Sequence, residues 1–258
     1  MKARQRRSRR SLRTHLRTYW IVGALGASLA FAGGWLLARA PALRVAHVEV
    51  GATERVDRSD VLRRAAIDPG ANAWLIDVGG VERRVEAIPY VRRAHVVRRL
   101  PAHVAIAIEE RLPDGCLRSG EDRLTIDREQ RVLERGCRTG LPTYELAHRL
   151  AAAPGVFLHD PNLAALQRDA AAIASADRRY AAFFYDDLGQ FEAVLGNGIR
   201  VRFGSDDDLE RKQRLVEPIL ASLGPRLHAV AALDVRAPGS PVVEYRAGAL
   251  DAGGTSPR

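Results

Sequence analysis

From Trp20 to Ala38 no charged residue interrupts a run of 19 positions, WIVGALGASLAFAGGWLLA. At 1.5 Å rise per residue such a helix is about 28 Å long, close to a bilayer core of ~30 Å. A charge at mid-membrane costs ~2.5 kcal/mol or more, so the unbroken run predicts one transmembrane helix over 20–38. Trp20 and Trp35 lie near its two ends, where amphipathic rings favour the interface. Beyond the span the period changes. Val45, His47 and Glu49 alternate with Ala46, Val48 and Val50, which predicts a half-buried strand ending at Gly51. Asp57 or Ser59 can cap a helix carrying Val61, Leu62, Ala65 and Ala66, ended by Asp68-Pro69-Gly70. A second helix carries Val81, Val85 and Ile88 and stops at Pro89. Strands over 91–98 and 104–109 follow, joined tightly through Arg99-Leu100-Pro101-Ala102.

The pattern then becomes strand-rich. Residues 124–127 and 130–133 read as a hairpin, and Asp160-Pro161 starts a helix with Leu163, Leu166, Ala170 and Ile173 on one face. Strands are expected over 180–185, 190–195 and 199–203. The last two flank Asn197-Gly198, read as a two-residue turn with φ > 0 at both positions. Ser205 is expected to cap a helix that turns Val216, Ile219, Leu220 and Leu223 inward before Gly224-Pro225. Strands near 229–236 and 241–246 close the domain. The fold class is α+β. A basic arm (1–19) and the transmembrane helix (20–38) lead into a βααββ domain over 45–112. A mixed, strand-rich β domain with two helices spans 113–246, and the polar tail 247–258 is expected to be disordered.

Charge fixes the expected orientation. Eight Lys/Arg precede the span and no acid does, while only Arg39 and Arg44 follow it closely. The positive-inside bias puts the N-terminus in the cytoplasm and the domains outside. A cleaved signal peptide is the alternative, because Ala38-Arg39-Ala40 resembles a small-x-small cleavage site. The length of the apolar run and Pro41 just after the cut favour the uncleaved anchor. The net charge of +9 suggests nucleic acid, but the first 48 residues hold ten Lys/Arg and no acid. The remaining 210 hold 30 Lys/Arg against 31 Asp/Glu, a net of −1, so no nucleic-acid partner is expected. The arm sets topology and can also touch anionic lipid head groups.

Enzyme chemistry is not legible. The seven histidines are scattered, and no H-E-x-x-H, C-x-x-C, G-x-S-x-G or P-loop occurs. A hairpin centred on Leu100-Pro101 would set Arg98, not His95, opposite His103. Glu109-Glu110 point to opposite faces of a strand, so salt bridges to Arg92-Arg93 and Arg98-Arg99 are expected instead of a paired-acid site. Asp206-Asp207-Asp208 lacks the spaced ligands of a calcium loop. We therefore expect no catalytic residue, cofactor, metal site or small-molecule substrate.

Two further features direct attention to binding. Cys116 and Cys137 are the only cysteines, and both fall outside the membrane by topology, so a disulfide around the 124–133 hairpin is expected. Two free, buried thiols are the alternative. The final strand, 241–246, is expected to be an exposed sheet edge and the main partner site. Val242 and Glu244 would face one side, Val243 and Tyr245 the other.

Several stretches together resemble the FtsQ family of bacterial division proteins, called DivIB in many Gram-positive bacteria. In the first module, which looks like a POTRA domain, they are Val48-Glu49-Val50-Gly51, Ile88-Pro89-Tyr90-Val91, Ala94-His95-Val96, Leu100-Pro101, Val104-Ala105-Ile106 and Ile108-Glu109-Glu110-Arg111-Leu112-Pro113. In the second they are Leu124-Thr125-Ile126-Asp127, Leu141-Pro142, Leu195-Gly196-Asn197-Gly198 and Leu233-Asp234-Val235-Arg236. The resemblance implies a non-catalytic scaffold enriched at the division septum, in the plasma or inner membrane. It would bridge early and late division proteins, bind partners of the FtsB and FtsL type, and help regulate septal wall synthesis. In relatives an aromatic follows the Asp-x-Arg motif and helps grip the partner. Here Ala237 stands there after Arg236, and Tyr245 offers a nearby aromatic. A POTRA-bearing transport component is the rival reading, and an anchored wall hydrolase lacks its constellation.

Overall fold

The computed structural model describes residues 3–38, 40–99, 101–150, 152–174 and 180–247. Leu100 in the expected connection and nearly all of the 247–258 tail lie outside the described residues. Helix α1 (Ala3–Ala38) contains one segment, Tyr19–Leu36, long and apolar enough to cross a membrane. The chain then divides into two units, ending at Glu110 and beginning at Arg111, two residues before the boundary expected from sequence.

The first unit builds a three-stranded sheet in the order β1-β3-β2, from β1 (His47–Val50), β2 (Val91–Arg99) and β3 (His103–Glu110). β1 runs parallel to β3 and β2 antiparallel to it. Helices α2 (Arg58–Ala65) and α3 (Val78–Glu86) give Val61, Ala65, Val81 and Val85 to a core shared with Ala94, Val96, Val104 and Ile106. Asp57 caps α2 by accepting from the Ser59 N–H at 2.8 Å, and Asp77 caps α3 through Gly80 N–H at 3.0 Å. Leu62 is exposed, and α2 stops before Asp68-Pro69-Gly70, because Ala66 already adopts a left-handed φ of 47°.

Two expectations are corrected here. His103 pairs with Arg99, not Arg98, and His95 lies opposite Ala107. His103 instead meets His47 across the parallel β1–β3 pair, with ring centroids 5.4 Å apart. Glu109 does bridge Arg92, at 3.0 Å, but Glu110 makes no such cross-sheet pair with the arginines of β2. Its carboxylate accepts the backbone N–H groups of Glu54, Arg55 and Val56 at 2.9–3.1 Å. Burial raises its pKa, but those three donors outweigh burial and leave it lowered.

The sheet edge at β2 is closed by carboxylates. Glu86 accepts the Ala94 N–H at 3.0 Å and Glu82 the Val96 N–H at 2.9 Å. Both glutamates stand on α3, so the helix that covers the sheet also occupies outward-pointing donors of its edge.

The second unit is a nine-stranded sheet in the order β12-β11-β10-β9-β8-β7-β4-β5-β6. Its strands are β4 (Gly115–Ser119), β5 (Asp122–Ile126), β6 (Val132–Arg135), β7 (Thr143–Leu146), β8 (Tyr180–Tyr185), β9 (Phe191–Leu195), β10 (Arg200–Gly204), β11 (Val230–Asp234) and β12 (Val242–Tyr245). Helix α4 (Pro161–Ile173) begins where Asp160 accepts the Leu163 N–H at 2.8 Å. Its Leu163, Leu166, Ala170 and Ile173 are all buried. With Val216 and Leu220 of α5 (Leu209–Leu223), they pack on Leu117, Phe183, Phe191, Phe203 and Leu233 of the sheet.

Ser205 does not cap α5. The helix begins four residues later, after Asp208 at φ 55°, with no side-chain cap, and the Ser205 carbonyl instead accepts from Lys212 Nζ at 2.9 Å. The β9–β10 loop is also not a two-residue turn. Leu195 N–H reaches the Ile199 carbonyl at 2.9 Å, and only Gly198 takes positive φ, +85°. This is a three-residue loop with glycine in the left-handed position.

The structure joins Cys116 on β4 to Cys137 after β6, with Cα atoms 5.2 Å apart. The loop it closes spans a sequence separation of 21, which in the chain-entropy model contributes ~3 kcal/mol. A Cys116→Ser, Cys137→Ser double variant should unfold at lower denaturant by that amount. The wild-type protein, isolated without reductant, should show no titratable thiol. Two free thiols would contradict the bridge.

Candidate functional site

β12 ends the nine-stranded sheet, and among the described residues no strand pairs with its outer side. Its inner side pairs antiparallel with β11, in the register Leu233↔Val243 and Asp234↔Val242. Arg246 N–H donates to the Ala229 carbonyl at 2.8 Å. Backbone groups alternate sides along a strand, so Val242 and Glu244 also turn their N–H groups to β11. Those of Val243 and Tyr245 therefore point to the open edge. Val243 and Tyr245 pack their side chains against the core, while Val242 and Glu244 are exposed on the opposite face. The alternation expected from sequence is the one found.

The other end of this sheet is not equivalent. β6 is covered by the following chain: Val132 N–H reaches the Val156 carbonyl at 2.9 Å, and Gly155 N–H reaches the Val132 carbonyl at 2.7 Å.

A ladder of charges supports β12 on its exposed face. Cross-strand registers place Glu192 beside Arg202, and Arg202 beside Asp234. Arg202 lies 3.4 Å from buried Glu192 and also hydrogen-bonds Glu244 through Nη1. Arg200 reaches Glu192 at 3.4 Å from the other side and stacks 5.3 Å over Phe184. Burial lifts the Glu192 carboxyl above its ordinary range, and Arg200 and Arg202 only partly oppose it. Glu244 and the other acids around Arg202 keep its guanidinium charged.

Arg236, at the turn into β12, forks onto Asp234 with Nε at 2.9 Å and Nη2 at 2.6 Å from Oδ2, while Nη1 donates to Gln190 at 3.0 Å. Burial raises Asp234, but these donors outweigh it and hold its carboxyl below the usual range. Gly204 makes the arrangement possible. Its φ is +77°, and a Cβ there would stand 2.9 Å from Arg236 Cγ. Ala237 is exposed, and its carbonyl accepts the Ser240 N–H at 3.0 Å in the turn.

The structure thus brings Arg236, Ala237, Val242, Val243, Glu244 and Tyr245 to one edge. It leaves Cys116 and Cys137 six strands away, about 29 Å at ~4.8 Å per strand. Sequence reading missed Arg202, Glu192, Gln190 and Gly204. The spacing Glu192, Arg200 and Arg202 around the 196–198 loop was the available signal.

A cavity of about 850 Å³ lies elsewhere in this unit, lined in part by Asp114, Tyr144, Gln167, Tyr180 and Phe183. Three of its polar groups converge on one carboxylate. Asp114 accepts from Tyr144 Oη at 2.9 Å, Gln167 Nε2 at 3.0 Å and Arg128 Nε at 3.1 Å. Burial, reinforced by Asp114, pushes the Tyr144 hydroxyl far up, so it serves as a donor. Among the described residues no three His, Cys, Asp or Glu side chains cluster to hold a metal ion.

Residues 43–111 match the model of the POTRA domain, FtsQ-type. The chain is 30% identical over 253 residues to cell division protein FtsQ of Myxococcus fulvus, covering 91% of this chain and 86% of that protein. It is 27% identical over 242 residues to cell division protein FtsQ of Syntrophotalea carbinolica, covering 89% of this chain and 83% of that one. A third relative, cell division protein FtsQ of a Geobacter species, is 32% identical over 109 residues, or 39% of each chain. The POTRA match begins just beyond the apolar helix, and the two longer alignments run through both units. This chain belongs to the FtsQ family of bacterial cell division proteins.

Proposed function

We propose that this protein is a divisome scaffold. It links early and late division proteins and regulates septal wall synthesis by binding partners outside the cytoplasm, without catalysing a reaction itself. The observation that carries this reading is the open β12 edge, with two core-facing residues whose N–H groups point outward. A partner strand laid along Val242–Tyr245 would satisfy those groups, and its side chains would meet Val242, Glu244 and the Arg202 ladder. The partners are single-pass division proteins of the FtsB and FtsL type, anchored in the same membrane. The span holds the N-terminus in the cytoplasm, as eight basic residues before it and two after it favour, and the protein is enriched at the septum.

Solubilised full-length protein, tagged at the N-terminus, should recover small single-pass division proteins from membranes. An alkaline phosphatase fused after Arg246 should be active. Recovery of unfolded outer-membrane substrates instead would favour a transport role, and a silent phosphatase with an active cytosolic reporter would reverse the topology.

A further inference from the structure

The α2–α3 connection presents two large apolar side chains to solvent, Trp74 at 51% and Leu75 at 71% exposure. They do not sit on a loose loop. Ala73 is buried beside them, Leu75 N–H donates to the Asn72 carbonyl at 2.9 Å, and Trp74 N–H donates to Asn72 Oδ1 at 2.9 Å. The side chain of Asn72 thus closes a tight turn that holds Trp74 and Leu75 side by side at its tip. Arg98 braces the exit by donating to the Ile76 carbonyl at 2.9 Å.

The place of this turn along the chain gives it meaning. Ala73 N–H donates to the Leu43 carbonyl at 2.8 Å, and Val45 N–H donates to the Ala71 carbonyl at 3.0 Å. The turn is therefore tied to residues 43–45, and residue 43 is only five positions past Ala38, the last residue of α1. Five extended residues reach at most ~18 Å. Pro41–Leu43 form a 3-10 helix, which rises only ~2 Å per residue and shortens the tether to the order of 13 Å. The polar interface of a bilayer is itself roughly 5–8 Å deep on each side. An exposed Trp-Leu pair cannot be carried far from such a surface, and an indole with an apolar body and a polar N–H is the side chain that interface favours.

We propose that Trp74 and Leu75 insert into the interface of the lipid bilayer at the C-terminal end of the span, giving the POTRA domain a second membrane contact. The inference rests on the reading of Tyr19–Leu36 as a membrane span, but holds for either orientation of that span. Arg44, at the bridge to Asn72, stands at lipid-phosphate level in this arrangement. The contact limits how the domain can swing on its short tether.

The test uses the full-length protein in liposomes, with no other protein present. The chain has three tryptophans, so two single-tryptophan forms isolate the question: one keeps Trp74, the other keeps Trp35, and phenylalanine replaces the rest. In liposomes containing brominated acyl chains, Trp74 should lose most of its fluorescence and emit at shorter wavelength than an exposed indole. Adding Leu75→Asp should restore the emission, while circular dichroism stays unchanged. If Trp35 is quenched by the brominated lipid but Trp74 responds only to aqueous acrylamide, the insertion is wrong. If Trp35 is not quenched either, the span reading fails and the proposal falls with it.

Discussion

Replacing Val243 by proline should abolish recovery of division partners while the protein stays folded. The Val243 N–H points away from β11, so the ladder within the sheet loses no bond. A proline is tolerated where an edge N–H faces outward. An incoming strand meets a different surface. It loses one donor, leaves its own carbonyl unpaired on burial, and meets the ring. One missing bond with an orphaned carbonyl amounts to about 3 kcal/mol, roughly a hundredfold in affinity. Val242→Pro is the matched control, because its N–H faces Asp234 on β11, and it should weaken the sheet itself. Circular dichroism and pull-down of full-length variants separate the two. A Val243→Pro protein that folds normally and still recovers its partners at wild-type levels would place the contact elsewhere.

Arg111→Ala should destabilise the second unit as strongly as the truncation of a core side chain. Arg111 is only 6% exposed and bridges two carboxylates through Nη1, Asp127 Oδ2 at 2.6 Å and Glu129 Oε2 at 2.8 Å. Its guanidinium also lies 5.2 Å from the ring centre of Phe157. Burial alone would lower its pKa, but the two carboxylates reverse that, and the charge is held. Asp127 is as buried as its partner, with a side chain 7% exposed. Removing the arginine leaves that carboxylate uncompensated, which costs about 3 kcal/mol or somewhat more. For a domain of this size that is a drop of roughly 6–12 °C in Tm. Adding Asp127→Asn should recover part of the loss. An asparagine Oδ1 still accepts the Glu129 and Arg131 N–H groups, at 2.9 and 2.8 Å in the parent, without the charge. Scanning calorimetry on both variants tests this, and an Arg111→Ala protein melting with the parent would sink it.

What was legible in the sequence was whatever short-range chemistry decides. The span announces itself by 19 uncharged positions, and α4 by Asp160-Pro161 and its apolar spacing. The β12 alternation follows from period two alone. What failed depended on contacts between distant residues or on one residue of register. Glu110 looked like a partner for β2 arginines, but it binds a backbone loop some 55 positions earlier, which no local pattern records. A two-residue Asn197-Gly198 turn would have paired Leu195 with Arg200, a core position with an exposed one. The three-residue loop pairs Val194 with Arg200 and Glu192 with Arg202, and each face stays consistent. Applying that test to the sequence would have exposed the charge ladder. The misplaced start of α5 has a similar origin, since Ser205 looks like a cap but its carbonyl serves Lys212.

The carboxylates of Glu82 and Glu86 on the β2 edge have a consequence in the language of polymer chemistry. A unit with two reactive ends propagates, and a unit with one end terminates. With β2 plugged and β6 covered at Val132, each sheet keeps one open end among the described residues: β12 in one and β1, equally short at four residues, in the other. Strand addition to the nine-stranded sheet would therefore stop after one partner, so that sheet would not template a filament. One reaction that would consume β12 without a partner is β12 meeting β12 of a second copy. That homodimer would be a dead-end product competing for the same edge, so partner binding should weaken as the protein's own concentration in the membrane rises.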